Sequence, residues 1–184
     1  MSRVPGVERA SLDAEGQAIF DEIAESRGHV QGPFPVLLHS PEVAVRIARV
    51  GHYIRYVTDL PARHRHLVAL VAAQAQDCQY EFTVHARLAR ELGIPEDAIR
   101  ALSVGEPVTG LDEPEATIVA FARQLTQQHR VDDATFQALQ AAVGLPRLTE
   151  LVATIGYFSM IAFPLNAFGV GVREGHAPEL PLED

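Results

Sequence analysis

Residues 63–92, RHRHLVALVAAQAQDCQYEFTVHARLAREL, hold the pattern on which the fold turns. In the first half, Leu67, Val68, Leu70, Val71 and Ala72 are apolar on most sides of a helix opened by Pro61, as in a segment enclosed by its neighbours. In the second half, Cys78, Glu81 and His85 follow one another at three and then four residues, so on one helix they stack along a single face. One unbroken helix would leave His66 about 120° round the axis from Cys78, away from that face. The sequence therefore predicts a break near Gln76–Asp77, with Asp77 capping a second helix that places Cys78 in its first turn, runs to Leu92 and stops at Gly93.

Working outward, helices are expected on both sides. Ser11 is expected to cap a helix to Ser26 that Gly28 ends. Gly32, Pro33 and Pro35 punctuate the stretch from His29 to Ser40 into a loop whose Phe34, Val36, Leu37 and Leu38 pack inward. Ser40-Pro41-Glu42 is a start signal for a helix to about Thr58. Pro95 opens a short helix to Ser103, and a Gly/Pro/Asp-rich loop covers Gly105 to Asp112. Further helices are expected over Glu113–His129, from Asp132 or Asp133 to Val143, and over Arg147 to about Phe163. No stretch alternates with period two in strand-like composition, so the reading is an all-α antiparallel bundle.

Composition narrows the function classes. The 184 residues suit one domain, 1–184, whose Pro- and acid-rich tail, 173–184, is expected to be loosely held. A net charge of −9 argues against a nucleic-acid partner, because phosphate binding needs clustered positive charge. All 15 basic residues are arginines, which excludes Schiff-base chemistry and leaves arginine and histidine to anchor a carboxylate. One cysteine excludes an internal disulfide. The richest apolar stretch, Leu151 to Phe168, contains Gly156, Pro164 and Asn166, so no membrane partner is expected; without a signal-peptide pattern at Met1, a cytoplasmic location is expected.

Cys78 is a candidate nucleophile, since a helix N-terminus favours the thiolate; the other reading is a small buried apolar residue. Glu81 and His85 form an i, i+4 pair in which the carboxylate can orient the imidazole, or else a solvated surface pair. His64 and His66 with His85 and Glu81 carry only a weak metal signal, without a closed-spacing motif, and no metal is expected. Tyr53, Tyr56, Tyr157 and Asn166 are candidates to line a substrate pocket, although helical aromatic stripes more often belong to the core.

The pattern C-x-x-[C/E]-x-x-x-H at Cys78, Glu81 and His85, behind an arginine-rich helix start, resembles the carboxymuconolactone decarboxylase and alkylhydroperoxidase D-like family. The resemblance extends over about residues 30–170, through GPFPVLLHSPEVAVRIARVGHYIRYVTDLPARHR and LTELVATIGYFSMIAFPLNAF. It implies the alkylhydroperoxidase D-like helical fold, assembly into a dimer, trimer or hexamer, and no cofactor. It also implies functional roles for Cys78 and His85, and places His66 at the family's proton-relay position as a further catalytic candidate. Two positions depart from the peroxidase members: Glu81 stands where they have a second cysteine, and His66 where they have a glutamate. A dithiol cycle needs two sulfurs. The expected activity is accordingly a cofactor-independent lyase or isomerase, with His85 moving a proton on a small carboxylated lactone or oxo acid. The alternatives are an antioxidant protein using Cys78 and a noncatalytic helical oligomer.

Overall fold

Capping chemistry places the helix boundaries. The computed structural model describes residues 2–173 and 175–181, and among these no residue is in a strand. A 3₁₀ turn at Arg9–Ser11 precedes α1 (Ala14–Arg27). The cap of α1 is Asp13, whose carboxylate accepts from Gly16 N–H at 2.8 Å, rather than the expected Ser11, whose hydroxyl donates to the Glu8 carbonyl. Gly28, at φ 76°, ends the helix as expected. Within the expected loop, Phe34–Leu37 forms a four-residue helical turn, α2, because Pro33 sits at its start already in helical geometry. Then come α3 (Pro41–His52) with a π-helical extension at Tyr53–Val57, α4 (Ala62–Ala75), α5 (Gln79–Glu91) and α6 (Glu96–Ser103). After these lie α7 (Glu113–Arg123), extended by a π turn at Gln124–Gln128, and α8 (Asp133–Phe168).

Gly144 interrupts α8 with φ 77° and ψ 161°, as expected, but the helix then continues through Pro164 to Phe168, beyond the expected end at Phe163. By length and composition α8 would suffice to cross a membrane, which the sequence reading did not anticipate. Leu139, Leu151, Ile155, Tyr157, Phe158 and Ile161 are nevertheless buried in protein, the habit of a core helix.

The chain gathers into two compact units. The first holds residues 2–58 and 163–171; there α1 packs on α3, with Ile19, Ile23, Phe34, Leu38, Ala44, Val45 and Ala48 as its core. The second holds residues 59–162, 172–173 and 175–181. Its axis is α4, where Leu67 to Ala73 are buried without interruption and α5, α6 and α7 pack around them. Arg63 ties three of these helices together. Its guanidinium donates to both Glu115 oxygens on α7, at 2.6 and 3.0 Å, and to the Leu92 carbonyl at the end of α5, at 2.8 Å.

The expected break falls where the sequence placed it, by a different device. Asp77 has φ 48°, and the Cys78 and Asp77 N–H groups donate back to the Ala73 and Gln74 carbonyls at 2.8 and 3.1 Å. That is a Schellman closure of α4, with aspartate in the left-handed position that glycine usually takes. Asp77 therefore ends α4 instead of capping α5, whose N-cap is Cys78 itself.

A candidate proton-transfer site on the α4–α5 hairpin

The three-residue connection Gln76–Cys78 folds α5 back along α4, so His66, early in α4, meets His85, midway along α5. Their Nδ1 atoms lie 2.8 Å apart. Only one proton fits between two nitrogens at that separation, so one ring donates and the other accepts. It is also too short for both nitrogens to bind one metal ion, since zinc–nitrogen bonds of about 2.0–2.1 Å in tetrahedral geometry hold the two roughly 3.3 Å apart. Among the described residues no three His, Cys, Asp or Glu side chains gather as a metal site.

On the opposite side of the His85 ring, Nε2 lies 3.2 Å from Glu81 Oε2. The geometry misses a well-formed hydrogen bond, and Oε2 is buried with no other partner. The placement has a local cause. A glutamate three residues after an N-cap usually reaches back to the N-cap N–H, but that of Cys78 is already bonded to Ala73, which leaves Glu81 to His85. Glu81 is 4% exposed and His85 3%, so the pair is buried and is not a solvated surface pair. The Phe158 ring meets His85 edge-on at 4.6 Å, and Tyr157 meets Phe158 at 5.3 Å. The Tyr157 hydroxyl is buried without a hydrogen-bond partner.

Of the two readings of Cys78, the geometry matches the buried one. It is fully buried, and burial pushes its thiol up from 9.0 to about 12. The nearby Glu81 charge adds to the rise, while the N–H groups of Glu81 and Tyr80 pull the other way. The helix N-terminus is present as the sequence suggested, but desolvation of the anion outweighs it. His64, whose Nδ1 is buried without a partner, is likewise driven by burial toward its neutral form.

Among the other candidates, Tyr157 lies next to the ring row of the second unit, whereas Tyr53, Tyr56 and Asn166 are exposed residues of the first unit. The Tyr56 ring meets that of His52 at a tilt, with centroids 5.2 Å apart, in a recess of about 410 Å³ lined also by Glu22, Glu25 and Ser26. Phe158 is one of the late aromatics, with Phe163 and Phe168, that the sequence offers as pocket lining or as core, and spacing alone does not place it against His85.

Residues 41–124, which include this hairpin, match the carboxymuconolactone decarboxylase family. No curated protein matches the chain at a significant level. Among solved structures, the chain is similar to an uncharacterized peroxidase-related protein with an alkylhydroperoxidase AhpD core from Ralstonia eutropha. The TM-score is 0.77 at 19% identity over 94% of this chain and 93% of that one. It is similar to a putative antioxidant defence protein AhpD from Agrobacterium tumefaciens, with a TM-score of 0.69 at 19% identity over 78% of this chain and 99% of that one. A debrominase aligns with a TM-score of 0.74 at 16% identity over 93% and 92% of the two chains, and one of its cysteine-to-alanine variants is known in complex with 2,3,4-tribromopyrrole. By these likenesses the chain's helices have the alkylhydroperoxidase D-like fold, and residues 41–124 resemble the carboxymuconolactone decarboxylase family.

Proposed function

We propose that the row Glu81, His85, His66 is the proton-transfer device of a cofactor-independent lyase or isomerase acting on a small carboxylated lactone or oxo acid. The observation that carries this reading is the 2.8 Å contact between the two Nδ1 atoms, with a buried carboxylate at the far nitrogen of His85. The carboxylate favours a proton on His85 Nε2. That leaves His85 Nδ1 to accept from His66 Nδ1–H, which fixes the tautomer of His66 as well. His66, half-buried, is the end of the row nearest solvent and the group that would face substrate.

In a decarboxylation beside a conjugated carbonyl, the bond to the carboxylate carbon breaks and its electron pair moves onto the carbonyl oxygen as CO2 leaves. The resulting enolate takes at carbon a proton that His66 carries on Nε2 in its imidazolium form; His66 returns to the neutral Nδ1–H tautomer and regains the Nε2 proton from solvent, while the Glu81 charge, acting through His85, favours the imidazolium. No other electron acceptor is required. The debrominase on this fold, with its bound tribromopyrrole, supports a small-ring substrate. The Cys78-dependent peroxidase alternative is weakened, since the chain has no resolving cysteine and its thiol is held protonated.

The test is turnover of a panel of carboxylated lactones and oxo acids by the native protein and by His66→Gln, His85→Gln and Glu81→Gln. Loss of either histidine should cost about 10²–10⁴-fold in rate, and loss of the carboxylate less. Full activity in His85→Gln would overturn the reading. So would sustained hydroperoxide reduction that disappears in Cys78→Ser.

A further inference from the structure

The first turn of α5 carries Cys78, Glu81 and the start of the row leading to His85, and it is gripped from outside by a segment remote in sequence. The Gln79 side chain reads the backbone of residues 179 and 180 with three hydrogen bonds. Its Oε1 accepts from the N–H groups of Glu179 and Leu180, each at 2.8 Å, and its Nε2 donates to the Leu180 carbonyl at 3.0 Å. Thr83 Oγ1 donates to the same Oε1 at 3.3 Å, which helps to fix the rotamer of Gln79. One residue on, Tyr80 OH accepts from Arg173 Nε at 3.0 Å. At the other end of α5, the Glu179 carboxylate accepts two bonds from Arg90 at 2.6 and 2.7 Å. Leu180 itself is 5% exposed and joins the core cluster that contains Phe82 and Ala86 of α5. The tail expected to be loose is therefore held at both ends of the helix that bears the candidate site.

We infer that Arg173 and residues 175–181 form a positioning strap, with Gln79 as its latch, which sets the first turn of α5 and thereby the Glu81–His85 contact and the seclusion of Cys78. The inference rests on the proton-transfer reading for its functional meaning, though not for its geometry. A side-chain amide that satisfies backbone groups of a remote segment fixes that segment's register and has its own rotamer fixed in return. A first helical turn has few hydrogen bonds within its own helix, so its order depends on such outside partners. When the strap lifts, the N-cap region of α5 frays, water reaches the thiol, and the burial that holds Cys78 protonated is lost.

The strap is tested by alkylation of Cys78 with iodoacetamide at pH 8, alongside amide hydrogen exchange, on the full chain and on Gln79→Ala, Gln79→Glu and a chain ending at Pro178. Gln79→Ala and the shortened chain should label Cys78 at least 10-fold faster while keeping native helicity. Gln79→Glu keeps the acceptor but loses the donor, and should fall between them and the native protein. The ring ¹⁵N shifts of His85 should move in Gln79→Ala, a response that a merely stabilising contact far from the site would not produce. In the unmodified protein, the opening equilibrium from Cys78 labelling should equal that from exchange of the Glu179 and Leu180 amides, a comparison that needs no folded variant. Labelling of Cys78 only at the rate of global unfolding, with the strap amides exchanging much faster, would overturn the inference. A working strap beside unchanged turnover in His85→Gln would instead overturn the functional reading and leave the strap standing.

Discussion

Raising the pH should destabilise this protein through Cys78 in a way that can be isolated. The folded thiol is pushed to about 12 by burial, against an ordinary value of 9.0. Between these values the unfolded chain has lost the thiol proton and the folded chain retains it, so folded-state stability falls as pH rises. The contribution is fully present below pH 9 and declines by about 1.4 kcal/mol per pH unit above it, reaching roughly 2 kcal/mol at pH 10.5. Tyrosine ionisation acts over the same range, so the quantity to measure is a difference of differences. Urea denaturation of the native protein and of Cys78→Ala, each at pH 7 and pH 10.5, should show the native protein losing about 2 kcal/mol more than the variant. The packing lost with the sulfur cancels, being common to both pH values. Equal losses in the two proteins would show that the thiol is not held protonated, and the argument from burial would fail with it. The same displacement bears on chemistry. At pH 7 the thiolate fraction is about 10⁻⁵, compared with about 10⁻² for an unperturbed thiol, so reaction of the closed state with a hydroperoxide should be slower by about 10³-fold.

Two other outcomes can be checked without knowing a substrate. Glu115→Ala strips the partner from Arg63, whose side chain is one-third exposed, and should cost about 3 kcal/mol, the low end for breaking such a pair. Calorimetry should then show a Tm lower by roughly 6–12 °C, with a smaller drop for Glu115→Gln, and an unchanged Tm would deny the three-helix tie. Along α8, Leu145, Val152 and Met160 leave an exposed apolar stripe of the kind that a second copy of the chain covers, so the protein is expected to sediment as an oligomer at micromolar concentration. Val152→Asp should shift that equilibrium toward single chains, whereas a native protein that remains a 20 kDa species would count against the stripe as an interface.

The sequence by itself determined what depends on neighbouring residues. The enclosed helix showed in the unbroken apolar run from Leu67, the break in the Gln76–Asp77 position, and the Cys78–Glu81–His85 face in its three- and four-residue spacing, since helical geometry converts spacing directly into direction. The all-α fold and the likeness of residues 41–124 to a known family could be read on the same grounds. Tertiary structure alone decided what depends on distant residues or on solvent. Whether Asp77 closes one helix or caps the next rests on which carbonyls its region can reach, and both readings suit the same residue. The meeting of His66 with His85 depends on the path of the three-residue connection between α4 and α5. The state of Cys78 turns on a competition between a favourable helix end and burial, and only the packed neighbours fix the amount of burial. The tail offered no local sign of order, because its partners, Gln79, Tyr80 and Arg90, stand some ninety to a hundred residues away. Local pattern records the preferences of a segment, while the desolvation and long-range hydrogen bonds that set a site's chemistry exist only once the chain has closed on itself.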